Sequence, residues 1–401
     1  MSGFLSRDTS YNERLMHLKT RLIHHPGAVC EHTGAVSPPI YQVSTFRQHG
    51  VNRHKGFEYS RGENPTRQVF EQYVADLEGG TRGFAFASGM AAISACFMLL
   101  KAGDHIVATE GLYGGTFRVL SRVFERFNLR YSFVDTNDID AVNSAFRDET
   151  RMVYVETPSN PLMVITDIAR ISELAHSRKA LVVVDNTFMS PYLQRPLELG
   201  ADISVHSASK FLGGHSDVIA GVAVVKDQEV ASRMKWVQVS VGGILGPLDS
   251  WLLVRGMKTL GVRLSHSQES AQAIATWLCG RPEVERVYYP GLATHPRAEI
   301  HREQADGGGA ILSFSLRPTI DVEKFLTSLK VWSLAVSLGA VESIVTQPSR
   351  MTHASYPSEL RERIGVTDQL VRLSVGLEDV DDLIGDLEEA FEKSQVDGRK
   401  P

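Results

Sequence analysis

The chain has 401 residues, 43% hydrophobic and 22% charged, an ordinary globular composition long enough for a large core and more than one domain. A net charge of -5 gives no electrostatic reason to expect nucleic acid or an anionic membrane as a partner. The three cysteines, Cys30, Cys96 and Cys279, lie far apart and out of metal-ligand spacing, which argues against a disulfide framework or zinc site and fits a reducing compartment.

The opening "MSGFLSRDTSYNERLMHLKT" carries scattered charges and no continuous apolar core, so it does not read as a secretory signal. No apolar run approaches the roughly 20 residues that span a bilayer, and the expectation is a cytoplasmic protein. Residues 1–60 carry few periodic signals and contain Pro38 and Pro39; they read as an arm that contacts a neighbouring subunit. From about Thr81 to Val225, short β-rich runs alternate with amphipathic stretches. Strands are expected at Gly83–Ala87, His105–Thr109, Tyr131–Val134, Met152–Val155, Leu181–Val184, Ile203–His206 and Ala220–Val225. Helices are expected between them, at Met90–Leu100, Thr116–Phe127 and Ile168–Ser177. Apolar strands alternating with helices indicate a mostly parallel α/β sheet covered on both faces, assigned to a large domain over 61–258.

One long helical pattern, Pro247 to Leu278, is expected to link this domain to the next. The stretches "GGGAILSFSL", "VWSLAVSLGA" and "LVRLSVGLED" then read as strands of a smaller α+β domain over 259–401, closed by a helix at Val380–Lys393.

In such sheets ligands sit outside the carboxyl ends of the strands, so the polar residues closing them come first: Ser88, Glu110, Glu156, Asp185 and Ser207. Asp185 ends an otherwise valine-rich strand, where a carboxylate is costly unless paired. Such an aspartate is either a cap or salt-bridge partner, or the partner of a cationic ring nitrogen. In "FASGMAA", Ser88 and Gly89 precede a helix start whose N–H groups form an anion site, although Ser-Gly is also an ordinary turn. In "HSASKFLGGHSD", Ser207 and Ser209 flank Lys210, which could be a phosphate counter-charge or a desolvated nucleophile that forms a Schiff base. Tyr113, before Gly114 and Gly115, is either a core tyrosine or a stacking platform. Together the four clusters specify one ligand, pyridoxal 5′-phosphate (PLP), which asks for a lysine and for an acid at its ring nitrogen.

The sequence resembles the Cys/Met-metabolism PLP enzymes along nearly the whole chain after about Lys19. The likeness runs through "FEYSRGENPTR", "FASGMAAI", "LYGGTFR", "YVETPSNPL", "VDNTF", "HSASKFLGGHSD", "GPLDSWLLVRGMKTL" and "SLGAVESIVTQPSRMTHAS". The resemblance implies PLP fold-type I, the aspartate-aminotransferase-like architecture, with a seven-stranded mostly parallel sheet in the large domain. It implies that Lys210 carries the cofactor and moves protons, Asp185 holds the ring nitrogen and Tyr113 stacks on the ring. Ser88, Gly89, Met90, Ser207 and Ser209 would hold the phosphate, with Ser209 where the family usually has threonine. Tyr59 and Arg61 would reach the phosphate of a neighbouring subunit, in a homotetramer built as a dimer of dimers. Asn160 would lie near the cofactor's phenolic oxygen and the substrate carboxylate, which Arg372 clamps beside Ser337. Glu342 would be the substrate-binding acid carried by γ-lyases and γ-synthases where β-lyases often have an aromatic residue, Glu58 would lie near the distal amino group of the substrate, and Arg118 would meet its distal carboxylate. The expected reaction is γ-elimination on cystathionine giving cysteine, 2-oxobutyrate and ammonia, with hydrogen sulfide from homocysteine. The alternatives are a γ-synthase, joining cysteine to an activated homoserine, and β-elimination.

Overall fold

The computed structural model describes residues 16–25 and 27–396; the first fifteen residues, where the signal-peptide question falls, lie outside the described residues. Strands β1 (Arg82–Phe86), β2 (His105–Thr109), β3 (Arg130–Val134), β4 (Thr150–Glu156), β5 (Leu181–Asp185), β6 (Ile203–Ser207) and β7 (Gly221–Val225) form one sheet. Its order is β1-β7-β6-β5-β4-β2-β3, and β7 alone runs antiparallel to its neighbours. All seven expected strands are present, within two residues at either end.

Alternate residues of each strand enter two cores, because successive side chains point to opposite faces. Val182 and Val184 pack on one side with Phe70, Val74 and Leu77 of the helix Pro65–Glu78 and with Ile168 and Ile171 of Ile168–Ser177. Val183, Ile203 and Val205 pack on the other with Ala92, Ile93 and Phe97 of Gly89–Phe97 and with Val230 and Met234 of Gln228–Val241. Both faces are therefore covered, and the strand ends are the free edge.

The long helical pattern is broken at Lys258–Thr259, where Thr259 leaves helical geometry, into Pro247–Met257 and Leu260–Cys279. Gly256 forces this turn to lie close to the chain after Lys210: a Cβ there would meet Gly213 O at 2.3 Å. A second sheet follows, of β8 (Val284–Tyr288), β9 (Ile311–Leu316), β10 (Ser333–Leu334), β11 (Ile344–Thr346) and β12 (Leu370–Ser374), in the order β10-β11-β12-β9-β8. The helix Val380–Ser394 closes its hydrophobic face through Leu383, Leu387 and Phe391. The expected strand in "VWSLAVSLGA" is a correction: only Ser333 and Leu334 pair, and the rest is irregular chain that carries Ser337 to the edge of the first sheet. The pattern missed β8 and β11, which are short or half exposed and so lack a continuous apolar run. Among the described residues no helix is long and apolar enough to cross a membrane.

Candidate active site

A cavity of about 440 Å³ opens at the carboxyl ends of the parallel strands and is roofed by the irregular chain around Ser337. From the first sheet and its turns it is lined by Ser88, Gly89, Met90, Tyr113, Arg118, Asn160, Asp185, Ser207, Ser209 and Lys210. Ser337 and Arg372 line it from the second. Twelve residues scattered over nearly three hundred positions thus meet at one edge.

Lys210 follows β6 and is partly buried, its Nζ donating to Ser337 Oγ at 2.7 Å. Loss of water lowers its pKa to about 8, and the Arg372 guanidinium adds to the effect by repulsion. Ser337 takes φ of +109°, a conformation that L side chains rarely adopt. That turn lets one residue serve two partners: Oγ accepts from Lys210, and its carbonyl accepts from Arg372 Nη2 at 2.9 Å.

Asp185 is buried at the end of β5. Its Oδ1 accepts from the Thr187 backbone N–H at 3.1 Å and the Thr187 hydroxyl at 2.5 Å, and its Oδ2 accepts from the Tyr154 hydroxyl at 3.1 Å. Burial pushes its pKa up, while the Thr187 donors pull it back toward the charged form. In register beside it on β4 is Glu156, pushed up to about 8 by burial and then by the charge of Asp185. Glu156 Oε2 accepts from the Tyr113 N–H and Oε1 from the Asn160 N–H, both at 2.8 Å, so one carboxylate fixes two turns of the site. Sequence reading noted Glu156 only as a strand-end polar group; its pairing with Asp185 is a matter of register, which the pattern did not fix. Thr187 was likewise missed, although a hydroxyl two residues after an aspartate is a recurrent local turn partner.

The anion end is built by the helix Gly89–Phe97. Ser88 caps it, its Oγ accepting from Ala91 N, so this hydroxyl serves the helix. The first N–H groups, of Gly89 and Met90, have no acceptor within the helix. Gly89 is required by close packing, since a Cβ there would sit 2.9 Å from Ser207 Cβ. Ser209 Oγ accepts from Ala220 N at 2.9 Å and donates to Ala220 O at 3.2 Å, bracing the loop on β7.

At the other end Arg372, on β12, is buried with Nη1 donating to Asn160 Oδ1 at 2.9 Å. Its Nε has no partner although buried, which leaves a charged donor available to an anionic ligand. Burial lowers its pKa to about 10, still far above neutrality.

Four expected residues do not line this cavity. Tyr59 and Arg61 lie on the arm, Arg61 over the Tyr59 ring with its guanidinium donating to Val239 O. Glu58 is on the same segment and accepts from Gln48 Nε2. Glu342 is exposed and accepts from Ser216 Oγ at 3.4 Å, because the chain is turned away by the bond from Val341 N to Gly214 O. The neighbouring Glu63, just past the end of the arm, meets Arg82 at 2.8 Å and Lys235 at 3.4 Å, tying the base of the arm to β1 and the helix Gln228–Val241.

Gly214 takes φ of +74°, and a Cβ there would lie 2.1 Å from Arg263 Nη1. The space is filled by Arg263, which donates to Phe211 O and Gly256 O at 2.9 Å each and to Thr259 Oγ1 at 3.1 Å.

PLP fits this donor set: free helix-start N–H groups and hydroxyls for a phosphate, a buried carboxylate for a ring nitrogen, and a desolvated amine. Residues 19–392 match the model of the Cys/Met metabolism PLP-dependent enzyme family. A cystathionine γ-lyase of Bacillus subtilis is 49% identical over 94% of this chain and all of its own length. A cystathionine β-lyase of the same organism is 50% identical over 94% of this chain and 96% of its own. A solved structure of cystathionine γ-lyase from Lactobacillus plantarum, complexed with L-serine, superposes with a TM-score of 0.93 at 47% identity, covering 94% of this chain and 99% of that one. The chain belongs to the Cys/Met metabolism PLP-dependent enzyme family, and its cofactor is PLP.

Proposed function

We propose that this protein is a carbon–sulfur lyase that eliminates the thiol from Cγ of cystathionine, giving cysteine, 2-oxobutyrate and ammonia, and releases hydrogen sulfide from homocysteine. One observation carries the reading: among the described residues Lys210 is the only amine lining the cavity, on a flexible stem, with a pKa near 8. γ-Elimination needs protons removed from two adjacent carbons, and one mobile base poised near neutrality serves both.

When bound, PLP supplies an electron sink conjugated to the substrate amine. Gly89, Met90 and Ser207 would hold the phosphate, joined by Ser209 once its hydroxyl proton turns from Ala220 O; Asp185 would meet the ring nitrogen and Tyr113 would stack on the ring. Arg372 takes the substrate α-carboxylate, its orientation set by Asn160 and Ser337. Ser337 Oγ holds the Lys210 amine between its two proton transfers. Of the two residues assigned to the distal half of the substrate, Arg118 lines the cavity and takes the distal carboxylate. Glu58 belongs with Tyr59 and Arg61 at a neighbouring subunit's site, in a cytoplasmic homotetramer.

A second reading is β-elimination, favoured by β-lyase relatives as similar as the γ-lyase. Cystathionine alone decides between them: 2-oxobutyrate with cysteine supports γ-elimination, and pyruvate with homocysteine overturns it. Cystathionine formed from O-acetylhomoserine and cysteine, with no cleavage of cystathionine, would make the protein a synthase.

A further inference from the structure

Tyr154 sits in the middle of the apolar run of β4, fully buried, and does not line the cavity. Its ring packs 5.4 Å from that of Phe97, a place phenylalanine would fill as well. A hydroxyl there is unfavourable unless it is bonded, and its partner is the Asp185 carboxylate. A carboxylate has about four acceptor directions. Thr187 fills both on Oδ1 and Tyr154 fills one on Oδ2, which leaves a single direction, on Oδ2.

We propose that Tyr154 is a positioning residue: its hydroxyl fixes Asp185 Oδ2 so that the one remaining acceptor direction meets the cofactor's protonated ring nitrogen. This rests on the reading of Asp185 as the ring-nitrogen partner. The other titratable groups around that carboxylate are Glu156 beside Tyr154, Cys96 from the helix Gly89–Phe97 and His206 on β6. His206 is itself hydrogen-bonded to Glu78 at 2.6 Å, and Lys210 and Arg372 complete the cavity wall. None of these donates a hydrogen bond to Asp185 in the described structure, so Tyr154 and Thr187 hold it.

The test is a cycle of Tyr154→Phe, Asp185→Asn and the double variant, each titrated as apoenzyme with PLP and assayed as holoenzyme. Tyr154→Phe is expected to weaken PLP binding about tenfold, the order for a hydrogen bond to a charged group. It should lower kcat about tenfold with KM within twofold and leave the apoenzyme Tm nearly unchanged. In the Asp185→Asn background the same change should do nothing further, because its effect passes through that carboxylate. Additive effects, or parent-like PLP affinity and kcat with a loss confined to Tm, overturn the proposal. An Asp185→Asn variant with parent PLP affinity and kcat overturns the Asp185 reading itself.

Discussion

The two ends of the cavity are built differently. The end formed by Asp185, Glu156, Ser207 and the Gly89 helix start rests on strand ends, with buried carboxylates held by several donors each. The end proposed for the distal half of the substrate offers one exposed cavity-lining arginine, Arg118, and no buried carboxylate among the described residues. Buried charges need fixed partners, so the first end is tied to the backbone, whereas solvated charges do not and the second is free to vary. The cofactor is therefore common to a family whose γ-lyase and β-lyase members cleave different carbon–sulfur bonds.

The largest expected effect falls at the rigid end. Lys210→Ala should lower kcat by at least about 10⁴-fold, the upper end for a general acid–base group. It should also abolish the pyridoxyl-peptide adduct seen by mass spectrometry after borohydride reduction; an adduct that persists would remove the lysine assignment. Arg372→Ala should raise KM about 100-fold, since a bidentate charge-assisted contact is lost; an unchanged KM would show that the clamp lies elsewhere. At the distal end Arg118→Ala should raise KM for cystathionine only about tenfold and leave KM for homocysteine, which has no distal carboxylate, within twofold. Equal effects on both substrates would erase the contrast between the two ends.

The smallest effect is a shift in pH. Lys210 must be neutral to add to an aldehyde, so the rate of holoenzyme formation should rise with pH and level off above about 8. With an ordinary lysine the rate would keep rising toward the usual pKa of 10.5. Arg372→Lys keeps the charge and should hold this midpoint, while Arg372→Ala removes a repelling cation and should move it upward; stopped-flow absorbance checks both.

The first sheet was legible because buried parallel strands are nearly continuous in Val and Ile, and their polar ends named Asp185 and Ser207 directly. The second sheet was less so: Ser333–Leu334 and Ile344–Thr346 are too short to carry a period, and the segment between them is irregular. Lys210, Asp185 and Tyr113 were readable from local motifs. Glu156 as a tie between two turns, Tyr154 as a donor to Asp185 and Arg263 beneath Gly214 were not. Each of these depends on register or packing across tens of residues, which one strand's pattern does not encode. Glu342 lies outside the cavity lining, a placement that its motif alone does not encode.

Arg263 has a consequence for conditions rather than for chemistry. Its guanidinium holds the loop after Lys210 through carbonyl and hydroxyl oxygens alone, with burial lowering its pKa only to about 10. A cation held without a counter-ion, away from solvent, presents little for dissolved salt to screen. The Glu63 pairs with Arg82 and Lys235, which fasten the base of the arm, are partly exposed and are open to that screening. Brine should therefore loosen the arm well before it disturbs the lysine, making high ionic strength a reagent for separating the two.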